Sequence, residues 1–192
     1  MKNLLSEIRS CTVCKAFLPY APKPIIQASA ASKIIIIGQA PGLKVQNSGV
    51  PWDDISGNNL REWMGVDKQT FYNEKIFALV PMGFCYPGRG GKSGDLPPRP
   101  ECAPLWHSKI LKAMPKVKLT LLIGHYAQNY YLKDNVKNTL TETVHNFHEY
   151  LPNYIPLPHP SPRNNIWQKK NEWFKEKLIP RLQEMVKSIL EG

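Results

Sequence analysis

The sequence predicts an α/β protein with three layers, α/β/α, around a short and mainly parallel central sheet. Three observations carry this. "KIIIIGQAPG", Lys33 to Gly42, is a β-branched run ending in Gly and Pro, the composition of a strand buried on both faces. Three weaker apolar runs follow it, "KIFALVP" (75–81), "KLTLLIG" (118–124) and "YIPLP" (154–158), each passing into a loop or a helix signal. Helical patterns fill the intervals, and strands alternating with helices build a parallel sheet covered on both faces.

In chain order, "MKNLLSEIRS" predicts a short helix; Glu7 and Arg9 interrupt it, so it lacks the apolar core of a secretion signal. "NNLREWMG" predicts a helix closing on Gly65, "PLWHSKILKAM" a helix with Pro104 in its first turn, and "HYAQNYYL" a helix after Gly124. From Ile166 to Leu190 apolar residues recur at helical spacing, with Pro180 expected to kink or divide the helix. Gly83 to Pro104 is rich in Gly, Pro, Arg and Lys and reads as a long irregular loop, a feature that function or a staple usually explains.

At 192 residues and 42% hydrophobic content, the chain suits one globular domain over residues 1–192. No apolar run approaches bilayer length, so a soluble, cytoplasmic protein without a membrane partner is expected. A formal charge of +10 suggests a polyanionic partner, with mere solubility as the plainer reading.

The chain has four cysteines, too few for a disulfide scaffold at this length. Cys11 and Cys14 form a C-x-x-C pair, and Cys85 and Cys102 bracket the irregular loop. A C-x-x-C turn converges two thiolates on one centre, and two distant cysteines complete a tetrathiolate site for iron-sulfur or zinc. Unrelated buried thiols are the alternative. A thioredoxin-like redox pair is disfavoured, because this pair follows a short helix instead of opening one after a strand.

In open parallel sheets, ligands bind outside the carboxyl ends of the strands. Three loops share that edge: "GQAPG", the Cys85 loop, and "HPSPRN" (His159 to Asn164). The first lacks a dinucleotide fingerprint, and "GRGGKSG" (88–94) is no Walker loop because Tyr86 stands where its first glycine belongs. The arginine and lysine of "GRGGKSG" suit a phosphate backbone or a solvated loop. Trp52 suits stacking on a nucleobase or an ordinary place in the core. The prolines of "HPSPRN" stiffen the backbone after His159, so its imidazole is either a structural group or a fixed donor to a developing anion.

These residues resemble a known superfamily. "HPSPRN" matches the second motif of the single-strand-selective monofunctional uracil-DNA glycosylases, and "PG" followed by "GVPW" resembles their first. "GQAPG" and the four cysteines look instead like the thermostable iron-sulfur uracil-DNA glycosylases, whose first motif is Gly-Glu-Ala-Pro-Gly. The resemblance runs from Cys11 to about Trp173 and implies a single α/β/α domain acting as a monomer on single- or double-stranded DNA. It implies hydrolysis of the N-glycosidic bond of uracil, or a related deaminated base, in base excision repair. It also implies a structural [4Fe-4S] cluster on Cys11, Cys14, Cys85 and Cys102, with zinc as the alternative. Trp52 would stack on a flipped base, His159 would stabilise the departing base, and Ser161, Arg163, Asn164 and Asn165 would contact DNA.

Two positions depart from the pattern. Ala40 stands where the single-strand-selective branch has a water-orienting Asn, which leaves Gln39 or Asp53 for that role. Pro81 and Met82 replace the Asn that reads the Watson-Crick edge, which leaves backbone groups of Met82 and Gly83 to bind the base. A non-catalytic, metal-stapled protein that recognises damaged DNA is therefore the second reading. A zinc-stapled enzyme acting on a nucleotide is the third.

Overall fold

Four consecutive isoleucines form β1 (Ile34–Ile37), and the alternation of a strand sends their side chains to opposite faces of the sheet. Ile34 and Ile36 enter one apolar cluster, Ile35 and Ile37 another. β1 lies at the centre of a four-stranded sheet with β2 (Phe77–Leu79), β3 (Leu119–Ile123) and β4 (Tyr154–Leu157), in the order β2-β1-β3-β4. Every pairing is parallel; Ile34 aligns with Phe77 and Leu119, and Leu122 with Pro156. Pro156 is tolerated because β4 is an edge strand, where a missing N–H breaks no ladder. The expected three-layer α/β/α class with a parallel sheet is what the chain adopts.

The computed structural model describes residues 1–91 and 94–192; Lys92 and Ser93, part of the "GRGGKSG" reading, lie outside the described residues. One face of the sheet is covered by α3 (Ile55–Met64), α7 (Leu140–His145) and α9 (Ile179–Glu191), through Leu60, Trp63, Val144, Leu182 and Val186. The other is covered by α1 (Lys2–Arg9), α5 (Cys102–Lys112) and α6 (Gly124–Leu132), through Ile8, Trp106, Ile110 and Ala127. Burying each large aliphatic side chain contributes about 1.5–3 kcal/mol, so these two clusters hold the layers together.

The helix limits follow local chemistry. Asp54 caps α3 by accepting a hydrogen bond from the Gly57 amide (2.8 Å), and Gly65 ends it in the left-handed region at φ 67°. Thr139 and Glu142 form a reciprocal capping box on α7. α2 (Leu43–Ser48) and α4 (Lys68–Phe71) are too short to show helical periodicity in the sequence.

Two expectations are corrected. The C-terminal segment divides at Asn171, whose backbone leaves the helical region after α8 (Asn165–Lys170). Pro180 lies in the first turn of α9, behind a wide π-turn at Phe174–Leu178, so its missing N–H falls where the helix is already loosened. The irregular loop is also shorter than read: Cys102 to Pro104 already belong to α5. Among the described residues, no helix is long and apolar enough to cross a membrane.

Candidate active site and a cysteine-lined cavity

The loops leaving β1, β2 and β4 meet around a pocket enclosing about 1640 Å³ of atom-free space, part of it open to solvent. Gln39, Ala40, Trp52, His159, Ser161, Arg163 and Asn164 all line it. The strand-end crevice of an open parallel sheet thus gathers residues far apart in sequence.

His159 is fixed from several sides. Pro160 has no amide to offer, so the next available N–H, that of Ser161, donates to Nδ1 of the ring (3.2 Å). That bond makes Nδ1 the acceptor and leaves the proton on Nε2. Nε2 has no partner among the described residues, so a donor stands ready at the pocket. Burial lowers the imidazole pKa below its ordinary value, with the Asp54 carboxylate partly offsetting the shift. A neutral ring with an Nε2 proton is the result. Around it, Asn164 Nδ2 donates to the His159 carbonyl (2.7 Å) and Asn59 Nδ2, from α3, to the Pro160 carbonyl (2.7 Å). Below it, the buried Gln128 side chain donates to the carbonyls of Leu157 and Leu122 (2.9 and 3.3 Å), joining the ends of β4 and β3.

Trp52 occupies the left-handed region at φ 59°, a conformation that costs a non-glycine residue on the order of 1 kcal/mol or more. The surroundings hold it there. A Cβ added to Gly57 would lie 1.8 Å from the Trp52 carbonyl oxygen, and one added to Gly38 would lie 2.7 Å from ring atom Cζ2. The indole therefore rests directly on the backbone at the end of β1. Its centroid is 5.9 Å from that of His159, with the rings tilted by 32°. Half-buried Trp52 also packs against the core, so the two readings of this residue combine.

Other anticipated site residues are placed differently. Asp53 does not line the pocket; its amide closes a turn onto Val50, and the neighbouring Asp54 faces the cavity instead. Met82 is buried in the core, and the amides of Met82 and Gly83 are already bonded to the carbonyls of Gly38 and Gln39 (2.8 and 3.0 Å). Pro81 has no N–H, and its carbonyl lies 3.1 Å from Nε2 of buried His107. These groups offer a shaped wall in place of the backbone hydrogen bonds expected at Met82 and Gly83. Asn165 does not line the pocket, and its Oδ1 accepts from Gln168 (3.4 Å).

Three pocket residues were missed in the sequence: Asp54, Tyr86 and Asp95. Asp95 faces Arg89 across an isolated bridge, and its carboxylate is hydrogen-bonded to the Tyr86 hydroxyl. No short motif announces this pairing; the bonds Leu96 N to Gly88 O (2.8 Å) and Gly90 N to Gly94 O (2.6 Å) create it.

All four cysteines line a second cavity, with about 330 Å³ of atom-free space and walls from Leu18, Pro22, Pro24, Phe84, Arg99 and Trp106. All are free thiols; Cys14 and Cys102 are buried, and Cys11 and Cys85 half-buried. Burial pushes the Cys85 thiol up to about 11 and the Cys102 thiol up to about 12. Trp106 Nε1 is buried with no hydrogen-bond partner among the described residues. Arg99, bound to Glu101 (2.6 Å), brings positive charge to the wall. No group of three or more described His, Cys, Asp and Glu side chains is arranged to hold a single metal ion.

A doubly covered parallel sheet with a polar strand-end pocket, arginines at its edge and a stacking aromatic inside defines a class: α/β proteins that bind a base or nucleotide beside a phosphate chain. The profile of the uracil DNA glycosylase superfamily matches residues 26–183, and the chain belongs to that superfamily. Among solved structures, it is similar to a candidate uracil DNA glycosylase from Methanosarcina acetivorans determined by solution NMR. The identity is 17%, covering 82% of this chain and 93% of that one, with a TM-score of 0.47.

Proposed function

We propose that this chain is a monofunctional DNA glycosylase that hydrolyses the N-glycosidic bond of uracil, or of a related deaminated base, and leaves an abasic site. The observation that carries the reading is the neutral His159 ring, its Nε2 proton free, beside Trp52 in one pocket. Trp52 stacks on the base once it has left the helix. As the glycosidic bond breaks, its electron pair moves onto the base, and Nε2–H donates to the oxygen where that charge gathers. A neutral donor held by Ser161 needs no reorganisation at that moment. Arg163, with Ser161 and Asn164, meets the DNA at the pocket rim.

Membership of the iron-sulfur branch, with a single-strand-selective type of second motif, belongs to this proposal. A cavity walled by four thiols fits a multi-iron cluster better than zinc, which gathers its ligands around one point. Cys11, Cys14, Cys85 and Cys102 would hold it, the unpartnered Trp106 N–H would find a sulfur acceptor, and Arg99 would balance negative charge. The cluster supplies structure, tying the N-terminal arm to the loop that carries Arg89 and Asp95.

The experiment is a panel of oligonucleotides, single- and double-stranded, carrying uracil, hypoxanthine or xanthine and treated with alkali after incubation. Strand cleavage at the modified position is expected for at least one base. Binding without cleavage of any substrate would refute the enzymatic reading in favour of damage recognition without hydrolysis.

A further inference from the structure

We propose that the Asp95 carboxylate is the general base that takes a proton from the water attacking the sugar C1′. The inference rests on the glycosylase reading and adds a catalytic residue to it.

The argument is by placement. Of the carboxylates near the pocket, Asp53 lies off it, and Asp54 faces it with one oxygen committed to capping α3. Asp95 lines the pocket and forms no salt bridge within 4.0 Å among the described residues. Its Oδ2 lies 3.3 Å from where a Cβ on Gly42 would stand, so it is packed against the loop leaving β1. Arg163 is at the same place, with Nη1 2.7 Å from the equivalent point on Gly94. With the base between Trp52 and His159 and the phosphates at Arg163 and Arg89, the sugar falls between them. Asp95 is the carboxylate beside that position.

The groups facing Asp95 are Tyr86, Arg89 and Arg163. Burial raises its pKa above the ordinary aspartate value, while all three neighbours oppose the rise. The carboxylate is thereby a stronger base than a solvated one and still ionised at neutral pH. In the reaction the water oxygen bonds to C1′ as the C1′–N bond breaks. The bonding pair leaves with the base, whose charge His159 stabilises. The water proton passes to Asp95 and then to solvent, and the base anion takes a proton from solvent.

The test is single-turnover excision by the full chain on a substrate that the wild type cleaves, with binding measured on an oligonucleotide carrying uncleavable 2′-fluoro-2′-deoxyuridine. Asp95→Asn is expected to slow excision about 10²- to 10⁴-fold with unchanged affinity, and Asp95→Glu to recover part of the rate. On the acid side, the wild-type rate requires both His159 and Asp95 unprotonated, whereas Asp95→Asn requires His159 alone, so its profile is shallower. Thermal melts confirm that both variants fold; should Asp95→Asn unfold, slowed excision at unchanged affinity in Asp95→Glu carries the test. Excision at the wild-type rate by Asp95→Asn overturns the inference. So does weakened binding with an undiminished rate at saturation, which makes Asp95 a positioning residue for Arg163. A wild-type chain that cleaves no base defeats the glycosylase reading itself, a result distinguishable from either.

Discussion

A methyl group on Gly38 tests the position of Trp52 without touching a polar atom. The added carbon would lie 2.7 Å from Cζ2, while carbon atoms settle at about 3.5–4.0 Å, so the indole must retreat by about 0.8 Å or more. Trp52 cannot retreat freely, because its carbonyl is pressed against the first turn of α3 at Gly57 and its side chain touches the core. Gly38→Ala should therefore destabilise the protein by about 1–3 kcal/mol, the usual range for overpacking. It should also slow excision far more than stability alone explains, by on the order of 10²-fold for a displacement near 1 Å. Single-turnover rates well below the melting temperature separate the two effects. A variant that loses stability but keeps the full excision rate and affinity would refute the claim that the indole at this position carries the base.

Other tests probe the remaining parts. His107 lies under Pro81 with its pKa pushed down to about 4, chiefly by burial. An unfolded histidine takes up a proton near pH 6.5 and this one only near pH 4, so its contribution is complete above pH 6.5 and is lost as pH falls across that window. Urea midpoints should fall between pH 7 and pH 4.5, by at most about 3 kcal/mol from this group, and His107→Phe should flatten the profile. Cys85→Ser and Cys102→Ser should each abolish bound iron and broad visible absorbance; a colourless wild-type protein rich in zinc would contradict the cluster. Arg163→Ala should weaken DNA binding across sequences and lower the slope of log affinity against log salt by about one.

How much was legible in the sequence depended on how local the cause was. Ile34–Ile37 announces a central strand because four β-branched residues in a row satisfy two buried faces at once. His159, Trp52 and the cysteines were legible because each sits in a short run whose stiffness or spacing is chemical in itself. Asp95 was not. Its place in the pocket depends on the Arg89–Asp95 bridge and on the Tyr86 hydroxyl, contacts that no periodicity or spacing records. Met82 and Gly83 failed as base readers for a similar reason: β-sheet geometry had already assigned their amides to Gly38 and Gln39. Asn171, rather than Pro180, divides the C-terminal helix because a proline in a first turn loses nothing.

The account stands most directly on His159 as the donor to the departing base. Single-turnover excision from a uracil-containing oligonucleotide should be about 10²- to 10³-fold slower in His159→Asn, the loss expected on removing one well-placed donor. Affinity for the uncleavable fluorinated analogue should stay at the wild-type level. Equal excision rates in His159→Asn and the wild type would contradict the account.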